Sequence, residues 1–254
     1  MESTHHLRLL AGYGLALLGW WIISRWRPGL WPGARRVEVA RSPKEVALLI
    51  AGLVGVIALG QLYQRDIRLP SRGTFGPILE GLNHVIIFAP ICWLIFRPQH
   101  GPASGWIPDR QILFRLGCGV ALAVLAVSAY VLAGGRIQEL AEILRRIPTY
   151  GHVDEAMQVA VEDLAIGIML VRLGCWLSTR GAIVLTAVLF VAGHIPAQID
   201  KGTPASELLW LLPDVGLALL VLTALFRSRD ILWFWPVHTV LDLMQFEHVY
   251  PVAS

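Results

Sequence analysis

The sequence predicts an all-α fold, a polytopic membrane helix bundle of about eight transmembrane helices plus one short amphipathic interfacial helix. Three observations predict it. Of the 254 residues, 56% are hydrophobic and only 15% charged, and the mean hydropathy is +0.61. Soluble domains carry about 25% charged residues, so a chain this apolar cannot cover its own surface with polar groups, and lipid is the expected solvent. Second, the apolar runs approach the roughly 20 residues that a helix needs to cross about 30 Å of hydrocarbon. Third, proline, glycine and arginine fall between the runs. Helices suit this setting because lipid offers backbone groups no partners.

The predicted spans are 7–24, 45–63, 78–96, 112–133, 155–177, 181–197, 207–226 and 230–247. Leu9 to Ile23 has the length of a signal-peptide core. No small-x-small cleavage site follows it, and the chain runs on into Ser24-Arg25-Trp26-Arg27, so it is expected to be a span. Pro28, Pro32 and Pro43 break the first connection, and Pro70, Gly73, Gly76 and Pro77 break the second. The stretch from Arg97-Pro98 to Pro108 breaks the third. Trp20, Trp21, Trp26, Trp106, Trp233 and Trp235 lie near predicted ends, as interfacial anchors do.

Residues 136–147 read RIQELAEILRRI. Ile137, Leu140, Ala141 and Leu144 share one helical face, with Glu139, Glu142, Arg145 and Arg146 opposite. Such a helix is too short and too charged to span, and suits a surface connector or an element that gates a site. The chain is thus expected to be a single transmembrane domain, 1–254, with N-terminal spans in 1–135, the connector in 136–150 and a core in 155–247.

The net charge is only +3, and no basic stripe suggests nucleic acid. Cys92, Cys118 and Cys175 sit singly inside apolar runs, without disulfide or metal-ligand spacing. With eight spans, thirteen of the 21 Lys and Arg residues fall on the side of the first, third, fifth and seventh connections. The positive-inside rule then puts both termini outside the cytoplasm.

Ionisable groups near the bilayer centre cost about 2.5–3.5 kcal/mol each on insertion scales, so they mark function by default. They concentrate in the last hundred residues: Glu162 and Asp163, then His194, then His238 and Asp242. Antiparallel spans would bring all five to similar depth, toward one face. Phe190 and His194 are four apart, as are His238 and Asp242, so each pair shares a helical face. Glu162 and Asp163 point about 100° apart, and Glu162 is expected to be the inward one. Glu80, Asn83 and His84 share a weaker stripe at the same level, suited to bonding helices together or to lining a cavity.

The order acidic pair, FxxxH, HxxxD resembles the CPBP family of intramembrane proteases, the CAAX-protease and bacteriocin-processing group. The pieces are Glu162-Asp163, then Phe190 to His194, then His238 to Asp242. They cover residues 155–247. The family's first motif is EExxxR, whereas this chain reads EDLAIG, with Gly167 at the arginine position. Arg172 lies ten residues past Glu162, about 15 Å along a helix, too far to replace it.

The resemblance implies an intramembrane endopeptidase that hydrolyses a membrane-anchored protein, with a prenylated or C-terminal-anchor substrate. In the metal-free, glutamate-type scheme suggested for the family, Glu162 takes a proton from a water that His194 holds. His238 and Asp242 stabilise the oxyanion, with Asp163 and Phe190 in support. A metal scheme draws on the same groups: His194, His238 and Glu162 could ligate a divalent metal such as zinc. The expectation is no cofactor. Partners are the lipid bilayer and a membrane-anchored protein or peptide, in a bacterial inner membrane with the site toward the periplasmic face. The alternatives are a catalytically inactive relative serving as a scaffold or immunity protein, and a small-solute transporter.

Overall fold

The computed structural model describes residues 2–97, 101–200, 204 and 212–245. Parts of the predicted spans 207–226 and 230–247 lie outside these residues. The described residues form an all-α helical bundle. Its helices are α1 (Glu2–Trp26), α2 (Pro43–Gln64), α3 (Gly76–Cys92), α4 (Ile112–Ala133), α5 (Leu140–Arg146), α6 (Val153–Trp176), α7 (Thr179–Gly193), α8 (Ile195–Asp200), α9 (Leu212–Ser228) and α10 (Phe234–Gln245).

Local chemistry sets several boundaries. Ser42 caps α2 by accepting from the Glu45 N–H at 3.3 Å, with Pro43 in the first turn. Ser178 caps α7 by accepting from the Gly181 N–H at 3.1 Å. Pro90 lies inside α3, and the chain tightens into a 3-10 turn at Trp93–Phe96.

Among the described residues, four helical stretches are long and apolar enough to cross a membrane: His5–Trp26, Pro43–Gln64, Gly76–Phe96 and Ile112–Ala133. They match the first four predicted spans. The later segments differ for two reasons. Although α6 has 24 residues, it carries Asp154, Glu155, Glu162, Asp163 and Arg172. The predicted span 181–197 is broken: α7 ends at Gly193, the chain turns at His194, and a short α8 follows. Its 15 residues rise about 22 Å, short of the hydrocarbon thickness.

The connector is also revised. Residues Ile137–Glu139 form a 3-10 turn, so α5 begins only at Leu140. Its inward face is then Leu140, Ile143 and Leu144, while Ile137 and Ala141 are exposed. Glu142 holds Arg145 and Arg146 on the outer side, and these two guanidiniums pull the Glu142 carboxyl down to about 2.

The bundle has an apolar core, yet it also exposes large apolar side chains and buries ionisable ones. Leu18, Trp21, Ile50, Val54, Ile57, Val120 and Val184 are exposed, while Glu45, Arg115, Glu162, Asp163, Arg172, Asp230 and His238 are buried. Packing runs through α6, which contacts α3, α7 and α10; α10 also packs on α4, α4 on α1, α2 on α3, and α9 on α7. Small residues let these helices approach. A Cβ on Gly55 would meet Pro90 at 2.6 Å, and one on Gly119 would meet the Trp233 carbonyl oxygen at 2.8 Å.

One end of the bundle is tied by a buried ion pair. Arg115 donates from Nη1 to Asp230 Oδ2 at 2.6 Å and from Nη2 to the Leu30 carbonyl at 2.7 Å. Asp230 also accepts from Trp31 Nε1 at 3.1 Å and from the Leu232 N–H at 2.9 Å. The indole of Trp20 packs against those of Trp31 and Trp233 beside this pair. The start of α10 is thereby fixed against α4 and the loop after α1.

Removing one partner of a buried pair leaves the other charge unpaired, at a typical cost of about 3–5 kcal/mol. Asp230→Ala is expected to destabilise the purified protein by that order, read as a lowered thermal midpoint in detergent. An exposed-site change such as Arg72→Ala is expected to leave the midpoint unchanged.

Candidate active site

Three elements bring the ionisable residues together. On α6, Glu162 stands nine residues from the helix start, about 14 Å along the axis. That is nearer the middle than the start of the helix. On α10, His238 and Asp242 are one turn apart. His194 occupies the turn that ends α7.

His238 is the centre. Its Nδ1 lies 2.8 Å from Asp163 Oδ1, a buried contact between α10 and α6. Its Nε2 lies 3.7 Å from Asp242 Oδ1, beyond hydrogen-bond reach but within ion-pair range. Single donor atoms of Glu162, His238 and Asp242 all fall within 4.8 Å of one another. Gln158 donates to Glu162 Oε1 at 3.0 Å, one turn back on α6. The imidazole is flanked by rings: Phe234 stacks on it with centroids 5.1 Å apart, and Phe190 lies at 6.3 Å. Trp235 Nε1 donates to the Ala156 carbonyl at 2.8 Å and pins α10 to α6.

Asp163 corrects the expectation that Glu162 alone points inward. Asp163 is 0% exposed and Glu162 8%. Both of their faces meet protein because α6 is central. Glu162 faces a cleft between α2, α3, α6 and α7, and Asp163 faces His238 of α10. The orienting contact at Nδ1 therefore comes from Asp163.

His194 stands apart from the tight cluster. It is exposed, and its Nδ1 lies 2.9 Å from the Phe190 carbonyl, closing the C-terminal turn of α7. The Phe190 and His194 rings meet edge to face at 5.0 Å. Glu162, His194, Phe190, Gln158 and His84 nevertheless line one cleft of about 380 Å³, together with Gln61, Tyr63 and Gln64 of α2 and apolar residues of α2, α3, α6 and α7. His84 thus reaches the cleft. Glu80 and Asn83 bond elsewhere: Tyr63 donates to Glu80, and Asn83 exchanges hydrogen bonds of 2.8 and 3.0 Å with the backbone of Leu69. A larger apolar cleft of about 840 Å³ lies between α4 and α10, on the side of α10 that carries Pro236, Thr239 and Val240.

The compact set for a divalent cation is Glu162, His238 and Asp242. The sequence-based set of His194, His238 and Glu162 placed His194 where the structure has Asp242. The donor set fits a cation such as zinc. It offers two carboxylates and one imidazole, and the other ring nitrogen is already held by Asp163, as metal-binding histidines usually are.

Gly167 has a steric explanation. A Cβ there would lie 2.5 Å from the Gly105 carbonyl oxygen, because the 3-10 turn Pro102–Gly105 is pressed against α6. Arg172 is fully buried and donates from Nη2 to the Leu94 carbonyl at 3.2 Å, away from the cluster.

The chain matches no protein-family model, no curated protein and no solved structure. Gly167→Ala is expected to destabilise the protein by about 1–3 kcal/mol through overpacking. Gly167→Arg should be worse and should not raise any activity; both are read by thermal unfolding in detergent.

Proposed function

We propose that the protein is a multi-pass intramembrane endopeptidase that hydrolyses a peptide bond of a membrane-anchored protein. The observation that carries this reading is the His238 cluster, with Asp163 on one ring nitrogen and Glu162 and Asp242 gathered within 4.8 Å on the ligand-bearing side. Its neighbour is an apolar cleft with polar groups at one end, the shape required by an extended, lipid-anchored peptide. The resemblance to CPBP proteases supports the same residues. The excess of basic residues on the opposite connections supports a bacterial inner-membrane setting with this site toward the periplasm.

In the metal-free scheme, Glu162 accepts a proton from water, and the water oxygen bonds to the scissile carbonyl carbon. His194 presents its Nε2 to the cleft as an acceptor that orients this water, since Nδ1 is engaged by Phe190. With Asp163 accepting from Nδ1–H, the imidazolium form of His238 holds a second donor at Nε2 for the tetrahedral oxyanion. Asp242 stabilises the imidazolium charge from 3.7 Å. Collapse of the tetrahedral species breaks the C–N bond, and Glu162 returns its proton to the leaving amine. Phe190 and Phe234 fix the plane of the His238 ring.

One observation favours a second reading of the same chemistry. The Glu162, His238 and Asp242 donor atoms are close enough to share a divalent cation. Such a cation would supply Lewis-acid polarisation of the carbonyl.

Cleavage of a peptide with an apolar anchor in proteoliposomes tests the assignment. Glu162→Gln and His194→Ala are each expected to lower turnover by about 10²-fold or more, the usual worth of acid–base catalysis. Full turnover in both variants would sink the proposal. Prolonged dialysis against a chelator separates the two schemes. The metal-free scheme expects unchanged turnover and no stoichiometric metal by elemental analysis, and the metal scheme expects loss with recovery on adding zinc.

A further inference from the structure

A second polar cavity, of about 630 Å³, lies at the other end of α6. It is bounded by the loop 36–41, the last turns of α6, the first residue of α7 and the turn after α9. Cys175 on its wall is thirteen residues beyond Glu162, about 20 Å along the helix. The two sites are therefore separate.

Its electrostatics are one-sided. Arg36, Arg41 and Arg229 all line it. Arg41 donates from Nε to the Cys175 carbonyl at 2.5 Å, which holds its side chain against the end of α6. Among the described residues, Arg36 and Arg229 form no ion pair, and Glu38, the one carboxylate in the lining, forms none with any of the three. Burial and the nearby Arg36 push the Arg229 guanidinium below its usual value. Arg229 is held in the left-handed region, at φ 44°, by backbone bonds to Leu225 and Ala34. Thr179 opens the 15-residue helix α7 at the cavity, so the positive end of that helix adds to the same field.

Part of the wall is apolar: Phe226 is half-buried, and Trp106, Leu170 and Val171 are buried. Unpaired cations beside an apolar wall, at the end of a bundle whose outer surface is hydrophobic, match an amphiphilic anion. Thirteen of the 21 Lys and Arg residues fall toward this end of the predicted spans, the side expected to face the anionic leaflet.

We propose that this cavity binds the phosphate group of an anionic phospholipid through Arg36, Arg41 and Arg229. The lipid's glycerol and upper acyl carbons rest on Phe226, and its headgroup anchors the end of α6 remote from the His238 cluster. A free phosphate ion shares the headgroup chemistry but has nothing to place on that apolar side chain.

Native mass spectrometry of the full chain tests this, using phosphatidylglycerol, phosphatidylcholine and inorganic phosphate as probes. The wild type is expected to retain phosphatidylglycerol in preference to phosphatidylcholine. Arg36→Gln with Arg229→Gln should weaken that retention about thirtyfold. Arg65→Gln with Arg72→Gln, which removes equal charge from the opposite end, should leave it unchanged. Arg36→Gln alone, at an exposed position, should give an intermediate loss and guards against misfolding of the double variant. Retention of inorganic phosphate that Arg36→Gln abolishes, without preference between the lipids, would overturn the lipid as the ligand. Equal losses in the two double variants, or no loss in either, would overturn the site.

Discussion

The Arg115–Asp230 pair is the contact on which the rest of the structure depends. It is buried on both sides and draws together the first turn of α4, the loop after α1 and the turn before α10. In a low-dielectric interior neither charge tolerates loss of the other, so the three segments have one mutual arrangement. Trp31, Trp233 and Trp20 fill the space around the pair. The position and rotation of α10 follow from this anchor. Only four residues beyond the first residue of α10, His238 meets Asp163. A structural ion pair at one end of the helix thus sets the geometry of a candidate catalytic group near its middle.

Much of the fold was legible because long apolar helices carry an unambiguous signal. The run 112–133 coincides with α4, the second and third runs fall within two residues of α2 and of α3 with its terminal 3-10 turn, and the first lies inside α1, which begins five residues earlier. The break in α7 was harder to see. Gly193 and His194 read as late positions of an apolar span, although Pro196 marks a stop two residues on. The face of α5 was misjudged because the first three residues wind as a 3-10 turn, which shifts the register. The Arg115–Asp230 pair had no local signal at all: the partners are 115 positions apart.

The site was legible as a set of residues and only partly as an arrangement. Ionisable residues inside apolar runs named Glu162, Asp163, His194, His238 and Asp242. Helical spacing paired His238 with Asp242 and Phe190 with His194, and both pairs are neighbours in the structure. The reading that only one of two adjacent acids can face inward failed on the neighbours of α6. It assumes a helix with a single protein-facing side, whereas α6 has partners on several. Gln158 was passed over because an uncharged amide in an apolar run carries little signal, yet it is the hydrogen-bond partner of Glu162.

The close seating of the Pro102–Gly105 turn on α6 has a consequence for how such chains diverge. Gly105 and Gly167 touch backbone to backbone, with no room for a side chain at 167. An arginine at 167 therefore requires the turn to withdraw first, and a withdrawn turn leaves a void over α6 until a larger residue fills it. Each step alone is expected to lower stability, so changes in the two segments are energetically coupled. The residue tolerated at 167 is thus a property of two chain segments, and enlarging it takes a coordinated change in both.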